Sequence, residues 1–345
     1  MTRRLPETYL AEVFGFPSDV RDDDVELFRS LCLCPFRPMR PDASRDLSLP
    51  HREVPFDQQF ARCTKNSVIH PLGVCSVYAG TQPAITCPVR FGEGETMLNA
   101  TKEWVASVLQ TPAELMMAIP EIRLVPGAAD ISRPEVSDSG SEVEVISGSK
   151  DASAGNIDYV LASVYTDQVG SNIMADYYLG HYAALEVQAV YISGNVSNPF
   201  SEFMGGQRWD GSNPPRPDWL SSSRKRLVPQ LAWKGSILHA WNIPVAVCVQ
   251  LAFWKTMPYL SAVTDVAETF PDMAWVIVDL ERRGRTYQLI HVNTLSSQFE
   301  TALTAATKAP AGSGYLVEQA IIGKAILLLT GSKPRRPKPS KVKRR

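Results

Sequence analysis

The chain has 345 residues, 44% of them hydrophobic and 21% charged. This excludes a fibrous or wholly disordered chain, and the length suffices for one large α/β domain with an appended subdomain or for two domains. The formal net charge of −1 is unevenly spread, because the last fifteen residues carry eight Lys/Arg and no acid, leaving about −9 on the rest.

That tail, residues 331–345, is basic and Pro-rich and cannot bury apolar surface, so it is expected to be disordered. Its chemistry suits a polyanion such as nucleic acid, with a plain solubilising role as the alternative. No apolar run of signal-peptide length follows Met1, and the longest apolar run, near 321–329, is broken by Gly323 and Lys324. The expectation is a soluble, cytoplasmic protein without a membrane segment, whose six cysteines are reduced or metal-bound.

Residues 7–14 and 24–30 read as short helices, the second opened by Asp22-Asp23-Asp24. Cys32, Cys34, Cys63, Cys75 and Cys87 then fall within 56 residues, leaving only Cys248 for the remainder. The segment around them is rich in Pro, Arg and turn residues and poor in apolar periodicity, so it needs a staple. Four thiolates on one metal would supply it, with spacing C-x28-C-x11-C-x11-C for Cys34, Cys63, Cys75 and Cys87. There is no C-x2-C pair, so this is not an ordinary zinc finger, and scattered buried cysteines remain the bland reading.

Residues 96–109 have helical spacing, and 127–155 read as a loop or long hairpin. A strand follows at 156–165, carrying Asp158, and another at about 182–192. In the second, alternation sets Glu186 and Gln188 on one face and Leu185, Val187 and Ala189 on the other. An ionised carboxylate in such an apolar strand is costly unless it binds a partner or a metal. A long loop, 193–221, is dense in Gly, Asn, Pro and Arg, and loops of that length are usually functional. Ser221–Ser223 can N-cap a helix running to about Trp241, with Pro229 in its first two turns. Strands at 245–253, 274–282 and 286–292 and helices at 294–307 and 316–329 complete an α/β pattern.

Asp158 read together with Glu186-x-Gln188 could form a divalent-cation site for phosphodiester hydrolysis, of the layout used by PD-(D/E)xK nucleases, with a half-exposed strand that has a polar face as the bland reading. That layout has Lys where this chain has Gln188, which carries no charge and cannot act as a base. Gln230 and Lys234 share a helix face and could reach the site or a phosphate, with a solvated face as the alternative. Arg208 and Arg216, in the loop after the Glu186 strand, suit guanine edges. His181 and His239 read as structural histidines, and Cys248 as a small buried apolar residue.

Several short, collinear segments resemble the NotI-type restriction endonucleases. They are Leu10-Ala11-Glu12-Val13-Phe14-Gly15-Phe16, Cys34-Pro35-Phe36, Cys63, Gly73-Val74-Cys75-Ser76-Val77 and Cys87-Pro88-Val89-Arg90. Asn156-Ile157-Asp158, Leu185-Glu186-Val187-Gln188, the helix from Arg224-Lys225-Arg226 through Gln230 to Lys234, and Ala274-Trp275-Val276-Ile277-Val278 continue the series. The Gln at position 188 is itself similar to the family pattern.

The resemblance implies a homodimeric type II restriction enzyme that cuts palindromic, GC-rich double-stranded DNA with Mg²⁺, alongside a cognate DNA methyltransferase. Asp158 and Glu186 would hold Mg²⁺, and Gln188 would position water or phosphate. Cys34, Cys63, Cys75 and Cys87 would hold a structural iron, with zinc as the alternative, and Cys32 is a rival first ligand. Asp167 and Asp176 are weaker rivals of Asp158, and Glu142 or Glu144 could supply a further acid. Arg208, Arg216, Arg224, Lys225, Gln230 and Lys234 are the candidate DNA contacts.

The expected architecture is a PD-(D/E)xK core, a mixed central sheet flanked by helices, with an N-terminal cysteine-rich subdomain. The expected division is 1–95 (helices and four-cysteine subdomain), 96–330 (catalysis and DNA recognition) and 331–345 (basic tail). A non-catalytic, metal-stapled DNA-binding protein and a nuclease without sequence specificity are the alternatives.

Overall fold

The computed structural model describes residues 9–40, 54–66, 69–124, 155–167, 176–261, 271–308 and 314–330. The anticipated 127–155 loop, apart from its last residue, and the basic tail lie outside these, as do Glu142 and Glu144.

The N-terminal strands are β1 (Leu10–Val13), β2 (Phe16–Pro17), β3 (Leu33–Pro38), β4 (Phe60–Arg62), β5 (Val74–Ala79) and β6 (Gln82–Ile85). They form a four-stranded sheet, order β2-β1-β5-β6, and a separate β3-β4 ribbon. The helix expected over 7–14 is therefore β1 instead. All four of its residues are buried and it pairs antiparallel with β2 and β5, so long-range pairing overrides local helical preference. The helix expected at 24–30 forms as Asp23–Ser30, with Asp22 accepting the Val25 N–H at its N-terminus. It buries Phe28 edge-on against Phe16 and Phe60.

Three of the short motifs interlock through missing side-chain atoms. Gly15 has φ +79°, and a Cβ there would collide with the Pro35 ring. A Cβ on Gly73 would strike the ring of Phe14. Glu12, on the first of these motifs, pairs with Arg90 on a fourth, and both residues are fully buried.

The main sheet consists of β7 (Met116–Arg123), β8 (Asn156–Asp167), β9 (Asp176–Gln188), β12 (Val245–Gln250), β13 (Met273–Arg283) and β14 (Thr286–Ser297). A minor ribbon, β10 (Tyr191–Ser193) with β11 (Arg216–Asp218), completes the strands. The order in the main sheet is β14-β13-β12-β9-β8-β7. β12 runs parallel to both β9 and β13, and all other pairs are antiparallel. β12 reads Val-Ala-Val-Cys-Val-Gln and is buried throughout, as a central strand covered on both faces should be.

Each face carries its own core. One packs Ala184, Val247, Trp275, Leu227 and Leu231, under the 219–240 helix and the helix Phe299–Thr307. The other packs Leu185, Ala246, Cys248 and Val276 against helix Thr96–Leu109, which forms where its spacing predicts. Cys248 is wholly buried, as expected.

Several boundaries differ from the sequence reading. The 193–221 stretch is not one loop: it contains helix Ser197–Met204 and strand β11. The strand expected over 245–253 ends at Gln250 and turns into the short helix Leu251–Trp254. The helix expected from 221 starts at Trp219, capped by Asp218, whose carboxylate accepts the Ser221 N–H at 3.0 Å. Around Pro229 it widens into π-helical turns, Ser223–Leu227 and Leu231–Gly235. A proline lacks the N–H that would close a regular turn, and the wider turns absorb that break.

Residues Met1–Thr307 form one compact unit and Lys308–Arg345 another. The second contains helix Gly314–Thr330, on which Tyr315, Ile321 and Leu329 are exposed. No described helix is long and apolar enough to cross a membrane.

Candidate active site

β9 is at the middle of the sheet, and its alternation is the one the sequence predicts. Ala183 and Leu185 face the core beneath helix Thr96–Leu109, whereas Ala184 faces the opposite core. Glu186 and Gln188 continue the Ala184 face and are only 7% and 5% exposed. On β8, Tyr159 pairs with Leu185, so the antiparallel register sets Asp158 beside Glu186. The Asp158 Oδ2 accepts the backbone N–H of Val187 at 2.7 Å, which clamps it to β9 between the two polar residues.

The rivals Asp167 and Asp176 pair with each other at the far end of the β8–β9 hairpin, away from this cluster. A different acid joins it. Pro120 pairs with Tyr159 and Ile122 with Ile157, which sets Glu121 opposite Asp158. Glu121 is exposed, and its backbone is left-handed at φ +54°. The sequence carries no periodic signal for it, because it belongs to an edge strand whose outer residues are all polar or partly exposed.

Lys234 completes the cluster. Its Nζ lies 2.6 Å from both Glu186 carboxylate oxygens and 2.7 Å from the Asn156 carbonyl oxygen, and the residue is 7% exposed. Position 234 is therefore not a free surface cation on a solvated helix face. It reaches the site because the chain between parallel strands β9 and β12 must cross over the sheet, and the 219–240 helix makes that crossing over the Glu186 face.

Burial raises the Glu186 carboxyl to about 7, opposed by the neighbouring Lys234 ammonium and reinforced by Asp158. Burial also raises Asp158; the Val187 N–H and Lys234 oppose that rise, and Glu121 adds to it. Such displaced carboxyls side by side are a mark of functional sites.

A cavity of about 360 Å³ opens beside the cluster, lined by Asp158, Gln188, Gln230, Arg226, Lys65 and Thr86 among others. Arg226 lies over the Tyr191 ring, 3.6 Å from its centroid. Gln230 thus reaches the site, whereas Arg208, Arg224 and Lys225 are exposed and touch none of the acids. Arg216 is exposed too, and its Nε donates to Ser193 Oγ at 3.2 Å, bridging the β10–β11 ribbon. His181 bonds Thr111 at 2.8 Å, and His239 pairs with Asp272 at 2.8 Å and stacks on Phe299. Both have structural partners, as expected.

Cys34, Cys63, Cys75 and Cys87 are all buried, and their thiols are electrostatic neighbours of one another. Cys32 is more exposed, and its sulfur lies 3.9 Å from the Ser30 carbonyl. Burial lifts the Cys34 thiol to about 12, partly offset by the Phe36 N–H donated to its sulfur. Burial also raises Cys63 and Cys75, and the Lys65 N–H donates to the Cys63 sulfur. Lys65 further donates its Nζ to the Val74 and Thr86 carbonyls at 2.6 and 3.2 Å, the residues preceding Cys75 and Cys87. As placed, no group of three His, Cys, Asp or Glu among the described residues forms a metal-holding cluster, at the thiols or at the carboxylates. The donor chemistry still fits each case: four sulfurs with N–H donors suit a soft cation, and two carboxylates suit a hard one.

The family described as Restriction endonuclease NotI matches residues 28–289, from within helix Asp23–Ser30 into the start of β14, which makes the protein a site-specific deoxyribonuclease. The chain belongs to the NotI restriction endonuclease family. No curated protein matches it.

Proposed function

We propose that the protein is a type II restriction endonuclease that hydrolyses one phosphodiester bond in each strand of a specific, GC-rich palindromic duplex, acting with Mg²⁺ as a homodimer. The observation that carries this reading is the pairing of Asp158 and Glu186, neighbouring carboxylates at the middle of an apolar sheet, with Asp158 and the adjacent Gln188 on the wall of an open cavity. A cation held by Asp158 and Glu186 would supply Lewis acidity to a phosphate oxygen and lower the pKa of an attacking water.

The residues divide the remaining work. Asp158 is fixed by the Val187 N–H and so presents its other oxygen in a constant direction. Glu186 must be ionised to act as a ligand, which its burial opposes and its partners support. Gln188 now donates its Nε2 to the Ala189 carbonyl at 3.0 Å, and the same amide can orient water or a phosphate oxygen without exchanging a proton. Arg226 and Gln230 line the approach to the acids, where a DNA backbone would pass. Arg208 precedes β11 and Arg216 is its first residue, both close in sequence to the Glu186 strand, and an arginine fork suits the O6 and N7 of guanine.

The four-thiol cluster is proposed to bind iron or zinc structurally. It stands behind the cavity wall, because Lys65 and Thr86 belong to both.

Incubating plasmid DNA with the protein and Mg²⁺ tests the reading, followed by sequencing of the fragment ends. Discrete fragments with one shared end sequence support it. A smear would assign a nuclease without specificity, and undiminished cutting by Glu186→Ala would remove the proposed site.

A further inference from the structure

We infer that Lys234 is a catalytic residue that restores, from a helix, the positive charge that strand position 188 lacks. The inference rests on the endonuclease reading. Gln188 is neutral and its amide is turned to the Ala189 carbonyl, so the strand offers no cation to a pentacovalent phosphate or to a water losing its proton. Lys234 places one at the same carboxylates from the layer above. Its three oxygen neighbours, Glu186 Oε1, Glu186 Oε2 and the Asn156 carbonyl, match the three N–H bonds of an ammonium group. Asn156 stands two residues before Asp158, so Lys234 spans the two strands that carry the acids.

A buried ion pair of this kind contributes little net stability, since desolvating both charges cancels most of their attraction. Its position explains it better. The π-helical turn Leu231–Gly235 carries Lys234 itself, and Leu231 and Gly235 on that turn are buried, so the ammonium stem is held between packed neighbours. When a Glu186 oxygen is given to another ligand, one N–H of Lys234 is freed. It then donates to a non-bridging phosphate oxygen beside the attacking water. The water oxygen forms the new bond to phosphorus, the bond to O3′ breaks with its electron pair on O3′, and solvent takes up and returns the protons. Lys234 remains an ammonium throughout.

The test uses the full chain and a duplex containing the site read from wild-type fragment ends. Binding is measured with Ca²⁺ and single-turnover cleavage with Mg²⁺, for Lys234→Met, Lys234→Gln and the double variant Gln188→Lys/Lys234→Met. Lys234→Met is expected to bind DNA within about 3-fold of wild type and to cut at least about 100-fold more slowly. Gln188→Lys in the same background returns at least about tenfold of that rate, which a purely structural lysine would not allow. Cutting by Lys234→Met at near wild-type rates overturns the inference, as does a loss of cleavage fully matched by lost binding. Should Lys234→Met not fold, Lys234→Gln decides, since it keeps N–H donors to Glu186 and removes the charge. Slow cutting with unchanged affinity supports the inference, and wild-type cutting overturns it. Absence of cutting by the wild-type protein instead overturns the endonuclease reading on which the inference rests.

Discussion

Arg90 and Glu12, 78 residues apart in sequence and both wholly buried, form an ion pair with Nε 3.1 Å from Oε1. Ser76 donates to the other Glu12 oxygen at 2.8 Å, while Arg90 also bonds Glu93 at 2.6 Å and the Tyr287 carbonyl at 2.9 Å. Glu93 in turn accepts the Leu289 N–H at 2.6 Å. One network therefore ties β1 and β5 of the N-terminal sheet to β14 of the main sheet.

Removing one member should leave a buried charge without compensation. Arg90→Met is expected to cost about 3–5 kcal/mol in urea denaturation, and Glu12→Met in the same chain should recover part of that loss. A cost below about 1 kcal/mol for Arg90→Met would mean the network is not a joint between the sheets.

Cleavage should depend on pH through Glu186. Its carboxyl is held near 7, above the usual 4.5, so the native state binds its proton more tightly than the unfolded chain does. The stabilisation linked to that proton is complete below the usual value and is lost as pH rises through 7. Cutting rates should therefore fall as pH drops below 7, and raising Mg²⁺ should move the profile to lower pH. Thermal unfolding without divalent cations gives a second check. Glu186→Gln should gain on wild type as pH rises from 5 to 8, and a constant difference would contradict the assignment.

Glu121 offers a case where stability and activity part. At φ +54° a side chain is strained, so Glu121→Gly should be about 1 kcal/mol more stable than Glu121→Ala. Both variants remove the carboxylate opposite Asp158, and both should cut DNA about 10-fold or more slowly at limiting Mg²⁺. Equal rates at all Mg²⁺ concentrations would remove Glu121 from the site.

The thiol cluster should be a staple rather than a reaction centre. Purified protein is expected to carry about one iron or zinc per chain, and Cys75→Ser should lose both that metal and thermal stability. Metal-free protein with an unchanged melting temperature would return these cysteines to ordinary core residues.

The sequence by itself determined the parts whose signal is local. Alternation in residues 183–188 is enough to set Glu186 and Gln188 on one face, because side chains on a strand alternate whatever surrounds it. The helix at 96–109 and the buried strand at 245–250 follow from apolar spacing in the same way. The cysteine series and the short motifs sufficed to mark the family. Tertiary structure decided the rest. Residues 10–13 became a strand only because β2 and β5 were there to pair with them. Gly15, Gly73, Glu12 and Arg90 acquired reasons only when distant motifs met. Glu121 joined Asp158 through strand register, and Lys234 joined Glu186 through a crossover helix 48 residues further along the chain. Neither meeting leaves a mark on local periodicity. The strand that holds Glu186 and the helix that carries Lys234 could be read from the chain, but the pairing of the two side chains could not.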